Sequence, residues 1–254
     1  MNRSPFNAQY YTLRALCRVN MEHYSAAIED YKASLEQNPI EKNNWHNMVL
    51  CLMELDKFDE ADSALDSMMT LWPRESSQCT MKAQVSLAKK DTTLAEHWVD
   101  SALVLDKYDG GAWAMKASML ANREEYAEAE SALDKAIVQK PRIPILYINR
   151  ALARFQLNNI RGAMSDYDQA IEIDASNYVA HYNRGLLRAQ VGDDNRALED
   201  LNTCIALEPN NYNAYLQRAI LEYKLGEYKK SIADYSLILD VYPDFVPAYY
   251  GRSE

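Results

Sequence analysis

The prolines of this chain recur at one fixed spacing. Six of its eight prolines lie on a single register of 34 residues, and Lys107 and Ala175 fill the two empty places. The six are Pro5, Pro39, Pro73, Pro141, Pro209 and Pro243. Eight prolines spread over 34 registers would place about 8/34 in each by chance, so six in one register is not an accident of composition. A period of this length is typical of a chain built from one repeated supersecondary unit.

Counting this proline as position 32 divides the chain into seven full units and a truncated eighth. The units are residues 8–41, 42–75, 76–109, 110–143, 144–177, 178–211, 212–245 and 246–254. We treat residues 1–254 as a single array, because one such unit cannot bury its hydrophobic face alone. The array stops inside the eighth unit, and Pro5–Asn7 resembles the end of an earlier one. We therefore expect a fragment of a longer protein; natural ends with frayed segments are the alternative.

Each unit has the pattern of two antiparallel helices, A and B. Position 20 is alanine in six units and serine in the seventh, and position 8 is alanine in five. Small residues recur where two helices approach closely, while large residues at positions 4 and 24 fill the space around them. Within a unit the apolar residues follow helical spacing, and glycine or polar residues interrupt the pattern near position 15. The predicted fold class is therefore all-α, an α-solenoid of helix pairs.

The charge of the chain limits its partners. Lysine and arginine number 27 against 37 aspartates and glutamates, which gives a net charge of −10. Nucleic acids and anionic membranes need concentrated positive charge, so we expect neither as a partner. No apolar run is long enough to span a bilayer, and we expect no membrane insertion by this segment. The compartment is not determined: cytoplasm is favoured, and a bacterial periplasm or cell envelope is the alternative if a signal peptide precedes the segment.

Two columns of the repeats carry opposite charges together. Position 7 is arginine and position 23 is aspartate in repeats one, five, six and seven, and neither residue occurs at these positions in the other three. With the turn near position 15, these two positions face each other across a helix pair. We therefore predict four structural ion pairs, each within one repeat. They are Arg14–Asp30, Arg150–Asp166, Arg184–Asp200 and Arg218–Asp234.

Patterns that would indicate catalysis do not appear in the sequence. The four histidines stand at different repeat positions, with no HExxH motif. The cysteines Cys17, Cys51, Cys79 and Cys204 have no CxxC spacing, and we expect them to be small buried residues. Gly110 and Gly111 before Lys116 lack the spacing of a phosphate-binding loop. We therefore predict no enzyme, no catalytic residue, no metal site and no cofactor.

The repeats resemble those of the tetratricopeptide repeat (TPR) family. Its signature is a 34-residue period with aromatic and small residues at fixed positions, then proline. The matching residues include Ala112, Trp113, Ala117, Tyr126, Ala129, Ala136 and Pro141, and later Tyr215, Gly226, Tyr228, Tyr235 and Pro243. The resemblance covers residues 5–254, and repeat three departs most from the pattern. It implies a right-handed superhelix whose inner face, lined by the A helices, binds peptides or protein segments.

Family geometry places positions 2, 5, 9 and 12 of helix A on that inner face. Repeats five to seven are apolar there except at Asn213, whereas repeats three and four have smaller or more polar residues such as Thr80 and Gln84. The predicted groove residues are Ile145, Ile148, Leu152, Phe155, Val179, Tyr182, Leu186, Leu216, Ile220 and Tyr223. A continuous exposed apolar strip usually marks a binding surface. The alternative is that these side chains are ordinary core of the solenoid.

Two classes of function follow. The first is a non-catalytic interaction scaffold that holds an apolar or amphipathic segment of a protein partner in the groove. The second is an architectural or self-associating arm of a larger enzyme or envelope protein, whose functional domain lies outside these residues. The identity of the partner and the oligomeric state are not determined by the sequence.

Overall fold

A computed structural model describes residues 5–253, and the described chain is built from fifteen helices. From α3 to α14, a 13-residue helix A is followed each time by a 14-residue helix B. The helices are α1 Pro5–Asn20, α2 Tyr24–Gln37, α3 Lys42–Glu54, α4 Phe58–Leu71, α5 Ser76–Ala88, α6 Thr92–Leu105, α7 Gly110–Asn122, α8 Tyr126–Gln139, α9 Pro144–Gln156, α10 Ile160–Ile173, α11 Tyr178–Gln190, α12 Asp194–Leu207, α13 Tyr212–Lys224, α14 Tyr228–Val241 and α15 Val246–Ser253.

The helices group into two compact units. Unit 1 is residues 1–116 and unit 2 is residues 117–254. In unit 1, α1 packs on α2, α2 on α3, and so on to α6. In unit 2 the same succession runs from α8 to α15. Each helix therefore packs mainly against its neighbours in sequence, as expected of a repeat array.

Small residues bring the two helices of each pair together. The alanines at position 20 of helix B, from Ala27 to Ala197, are completely buried, and Ser231 takes their place in the last pair. Position 8 of helix A is equally buried, and at Gly185 even a methyl group would lie 3.2 Å from the Cβ of Asp200. Large buried residues such as Leu65 and Leu201 pack around these contacts.

In three of the turns between successive pairs, the aromatic residue at position 4 donates a hydrogen bond across the turn. Trp45 Nε1 donates to the carbonyl oxygen of Pro39 at 2.8 Å, and Tyr147 Oη donates to that of Pro141 at 3.0 Å. Trp113 Nε1 makes the equivalent bond to Lys107, one of the two places without proline. The carbonyl at position 32 therefore serves as an acceptor whether or not the residue is proline.

The first helix begins earlier than the repeat numbering predicts. Helix α1 starts at Pro5, whereas the first unit was expected to open at Ala8. Proline fits the first position of a helix, where its missing N–H has no partner to lose. The prediction that Pro5–Asn7 ends a preceding unit is therefore wrong, since these residues form the first turn of α1.

Position 15, in the turn between helices A and B, has a left-handed backbone in all seven pairs. Gly192 and Gly226 have φ of +84° and +79° there. The same position elsewhere holds side chains with φ between 56° and 64°. They are Glu22, Asp56, Lys90, Glu124 and Asn158. For most of these residues the left-handed conformation costs about 1 kcal/mol.

Substituting Glu124 with glycine should therefore stabilise the protein. We expect a gain of about 0.5–1 kcal/mol in the free energy of unfolding, because glycine adopts this backbone without steric cost. Urea denaturation followed by circular dichroism measures it. Glu125→Gly removes the same charge one residue later, where φ is −83°, and should give no gain. Equal effects of the two substitutions would contradict the explanation.

Across residues 5–253, no helix combines the length and apolar character needed to cross a membrane. Among the cysteines, Cys51, Cys79 and Cys204 are buried as expected. Cys17 is exposed, so the prediction of burial is wrong for this residue. It lies on α1 at position 10 of repeat one, and no helix of an earlier repeat is described to cover it.

Candidate functional site

One face of the A helices in unit 2 is apolar. At 100° per residue, positions 2, 5, 6, 9, 12 and 13 of a helix lie within about 120° of one another. In α9, α11 and α13 this face carries nine large side chains that are exposed or half-buried, and we call them the apolar face. They are Ile145, Leu152, Phe155, Val179, Tyr182, Leu186, Leu216, Ile220 and Tyr223.

The exposure of these residues decides which of them a partner could touch. Ile145, Leu152 and Ile220 expose 49%, 42% and 46% of their surface, and Tyr223 exposes 39%. Ile148, the tenth predicted groove residue, is only 2% exposed. The prediction that Ile148 lines an open groove is therefore wrong.

Tyr182 belongs partly to the core. It is half-buried and packs against the cluster formed by Ala197, Leu201 and Cys204. Burial raises the pKa of its phenol, with the nearby Cys204 adding to the effect. Tyr223 is freer and stacks edge-to-face on Tyr228, with ring centroids 5.4 Å apart. Replacing Tyr182 by a small residue would therefore lower the stability of the protein as well as remove part of the apolar face.

Charge is almost absent from the apolar face. The six positions of each of the three helices contain one charged residue, Lys224. Its ammonium lies 2.7 Å from the carboxylate of Asp194, so this charge is already paired. Position 6 is an amide in all three helices: Asn149, Asn183 and Gln217. In a chain of net charge −10, such a surface suits a ligand that contributes no charge at the contact.

A pocket adjoins this face at its N-terminal side in unit 2. Its volume is about 320 Å³, and Ala117, Ser118 and Ala121 line it with small side chains. Leu152 and Asn149 line it from α9. Because the residues of α7 are small, the pocket has room for one large apolar side chain, with an amide at its rim for main-chain hydrogen bonds.

The structure brings the four predicted charge pairs together. Arg150 Nε and Nη2 donate to the two carboxylate oxygens of Asp166 at 3.0 and 2.6 Å. The same two-bond geometry joins Arg14 to Asp30, Arg184 to Asp200 and Arg218 to Asp234. Burial lowers the pKa of Arg150, but its bonds to Asp166 and Asp134 outweigh this and raise the pKa above its usual value. With both guanidinium and carboxylate engaged, these residues tie helix A to helix B.

Two further kinds of contact made by these charges were not predicted. Arg150 Nη1 reaches Asp134 of the preceding repeat at 2.5 Å, and Arg184 Nη1 reaches Asp168 in the same way at 2.6 Å. Position 11 adds a second arginine, since Arg188 Nη1 lies 2.8 Å from Asp200. Each arginine at position 7 in these repeats therefore couples two repeats. Aspartate recurring at position 25 was the signal in the sequence that could have indicated this.

Models of one family match three stretches of the chain. A model described as a TPR repeat matches residues 151–192. Two described as tetratricopeptide repeat match residues 182–244 and 8–41. Together with the succession of helix pairs, these matches decide the family. The chain is a tetratricopeptide repeat protein. Its fold is an all-α helical repeat solenoid, and the division into seven repeats stays a prediction, because the models match only part of the chain.

Solved structures share this TPR fold at low sequence identity. The C-terminal part of a TPR repeat-containing protein from Cytophaga hutchinsonii has a TM-score of 0.65 and 18% identity, covering 94% of this chain and 98% of its own. PilF of Pseudomonas aeruginosa has a TM-score of 0.74 and 14% identity, covering 83% and 96%. MamA from Desulfovibrio magneticus RS-1 has a TM-score of 0.60 and 13% identity, covering 67% and 96%. At these identities the likeness concerns the fold alone.

Comparison with curated proteins finds no match to this TPR protein. TPR proteins are commonly protein–protein interaction scaffolds and generally non-catalytic, and the fold suggests protein partners. Burial raises the pKa of Cys204 to about 11, so its thiol stays protonated at neutral pH. A protonated thiol is a poor nucleophile, as expected of a cysteine that only packs in the core. Within residues 5–253, no cluster of three or more histidines, cysteines or acidic residues is arranged for a metal ion.

Proposed function

We propose that this TPR protein is a non-catalytic interaction module that holds an apolar or amphipathic segment of a protein partner on the apolar face. The observation that carries the proposal is that the apolar face of α9, α11 and α13 is exposed and has no unpaired charge among its described residues. A contiguous apolar surface of this kind on a strongly charged protein is a recurring mark of a binding site.

The pocket beside the apolar face would hold one end of the bound segment. An apolar anchor, such as leucine or phenylalanine, would occupy the space beside Ala117 and Ala121 and contact Leu152. The remaining apolar residues of the segment would follow the face toward Ile220 and Tyr223. A helix with anchors three or four residues apart, or an extended segment with alternating anchors, meets this requirement.

A peptide library displayed on phage tests the proposal. Selection on the immobilised protein should enrich peptides with two or more large apolar residues and no charge between them. Leu152→Ser combined with Ile220→Ser should weaken binding of the enriched peptides more than tenfold, since each leucine- or isoleucine-sized contact contributes about 1.5–3 kcal/mol. The melting temperature should change little, because both side chains are already more than 40% exposed.

The matched control removes two comparable residues away from the apolar face. Leu207 and Ile232 expose 39% and 45% of their surface, so Leu207→Ser with Ile232→Ser should leave peptide binding unchanged. Affinity should also vary less than twofold between about 0.05 and 0.5 M salt, because no unpaired charge lies at the contact. Enrichment of charged peptides, or equal binding by the two double variants, would refute the proposal.

A further inference from the structure

A second cavity lies in unit 1, among the residues of α1, the end of α2 and the start of α3. Its volume is about 830 Å³. Amide side chains dominate its wall, and they belong to Gln9, Gln37, Asn38, Asn43, Asn44 and Asn47. This wall differs in chemistry from the apolar face of unit 2, so the cavity calls for a different ligand.

The orientation of Asn44 is fixed by its neighbours. The residue is completely buried, and its Nδ2 donates to Thr12 Oγ1 at 2.7 Å and to Ser34 Oγ at 2.9 Å. Both hydroxyl groups in turn are placed to donate to the carbonyl oxygen of Ala8. Since each hydroxyl has only one proton, Asn44 has to present its NH₂ group to them. Its Oδ1 atom therefore points elsewhere.

Two buried carbonyl oxygens in this wall lack a hydrogen-bond donor. Neither Asn44 Oδ1 nor Gln37 Oε1 has a partner among the described residues. A buried acceptor without a donor is unfavourable and uncommon in folded proteins. Both residues line the cavity, so their uncompensated dipoles make its wall electronegative.

The only charged residue in the described cavity wall adds to this negative potential. It is Glu41, which is half-buried at the start of α3. The neighbouring Lys42 does not offset it, because its ammonium lies 2.5 Å from the carboxylate of Glu75. Leu13 and Leu16 complete the wall with apolar surface. An apolar stem with a cationic head fits such a site, since the stem packs on leucine while the head lies beside Glu41 in the negative potential of the wall.

We propose that this cavity binds an ammonium or guanidinium group carried on an aliphatic chain. The group can be supplied by a lysine or arginine side chain of a protein or by a free alkylamine, and both offer the same donors. The site goes beyond the function proposed above: it lies in the other unit and takes a ligand of opposite character. Its failure would leave the proposal for the apolar face untouched.

Calorimetric titration with defined probes tests the proposal. The peptide acetyl-Gly-Lys-Gly-amide should bind, and its norleucine analogue, which keeps the stem and lacks the charge, should bind at least tenfold more weakly. Titration with spermidine tests the second source of the cationic group, a free alkylamine. Binding of spermidine but not of the lysine peptide would assign the site to free amines, and the reverse would assign it to protein side chains; both support the cationic ligand.

Variants of the cavity wall separate this site from general attraction to an acidic protein. Glu41→Gln should weaken lysine-peptide binding about tenfold, and Gln37→Glu should strengthen it by a similar factor, because a charged acceptor is replaced or added. Glu54→Gln removes the same charge from an exposed position of α3 and should have no effect. Circular dichroism checks that each variant is folded. Equal affinity for the lysine and norleucine peptides, or equal effects of Glu41→Gln and Glu54→Gln, would overturn the proposal.

Discussion

Replacing Asp200 with alanine is expected to destabilise the protein by about 3–5 kcal/mol, because it leaves buried cations without their shared carboxylate. Arg184 and Arg188 both donate to Asp200, and their side chains expose only 15% and 17% of their surface. A third group also lies close to this carboxylate, since the Nδ1 atom of His181 is 3.4 Å from Asp200 Oδ1. Urea denaturation of Asp200→Ala against the unmodified protein measures the loss.

Asp168 supplies a control on the same arginine. It accepts from Arg184 Nη1 at 2.6 Å, but 53% of its side chain is exposed. Asp168→Ala should therefore cost less than about 1 kcal/mol, as exposed ion pairs usually do. A loss of similar size for the two alanine variants would show that burial does not set the strength of these contacts.

Repeat two offers a rescue of the Asp200 variant. At the positions equivalent to Arg184, Arg188 and Asp200 it has the apolar residues Met48, Leu52 and Ala64, all buried. A triple variant, Arg184→Met, Arg188→Leu and Asp200→Ala, should therefore be more stable than Asp200→Ala alone. Replacing a buried ionic cluster by packed apolar residues is often neutral or favourable, whereas breaking it is not. A triple variant less stable than the single one would contradict this account.

The sequence predicted the features that depend on one repeat. Helices α3, α9 and α13 begin at Lys42, Pro144 and Tyr212, the residues that open units in the proline register. The pairing of Arg150 with Asp166 was predicted from the residues at repeat positions 7 and 23. The close antiparallel contact between positions 8 and 20 sets which residues of the two helices face each other. The prolines in the turns and the close contact between positions 8 and 20 were enough for these predictions.

Features that depend on the offset between neighbouring repeats could not be predicted in the same way. The bond from Arg150 to Asp134 joins two repeats, and its geometry is decided by how far one helix pair is shifted along the next. The burial of Ile148 has the same origin, since the equivalent Tyr182 is only half-buried. Repeat three shows a third case: Lys82 is buried, and its ammonium lies 2.6 Å from the carboxylate of Asp62 in repeat two. The same ammonium lies over the ring of Trp98 in its own repeat, 5.8 Å from the ring centroid.

Glu222 breaks the arginine pattern at position 11. Arg18, Arg154 and Arg188 occupy this position in repeats one, five and six, and each donates to the aspartate at position 23. In repeat seven a carboxylate stands there instead. Glu222 is 7% exposed, and its Oε2 atom has no hydrogen-bond partner among the described residues. Burial raises the pKa of Glu222, and the negative charge of Asp234 raises it further.

Replacing Glu222 with arginine should therefore stabilise the protein by about 2 kcal/mol at neutral pH. The substitution removes a buried acceptor without a donor and adds a charge-assisted bond to Asp234, like that between Arg188 and Asp200. Glu222→Gln should give a smaller gain in stability, because it removes the negative charge but offers Asp234 only a neutral amide and not a cationic guanidinium. Urea denaturation of both variants measures the two gains.

The gain of Glu222→Gln should depend on pH in a defined direction. A carboxyl group whose pKa is raised by folding lowers stability at pH values above that pKa, and the cost disappears as the pH falls and the group becomes protonated. The difference in melting temperature between Glu222→Gln and the unmodified protein should therefore be largest near pH 7 and shrink toward about pH 4, where even an ordinary glutamate takes up its proton.

Glu199 provides the control for net charge. It is exposed on α12, so Glu199→Arg makes the same change in charge without filling the place beside Asp234. If the gain of Glu222→Arg came only from reducing the negative charge of the whole protein, Glu199→Arg would match it. A gain that is specific to position 222 and is lost when Asp234 is also replaced by alanine would assign it to the local contact. The carboxylate at this position then weakens the packing of α13 against α14.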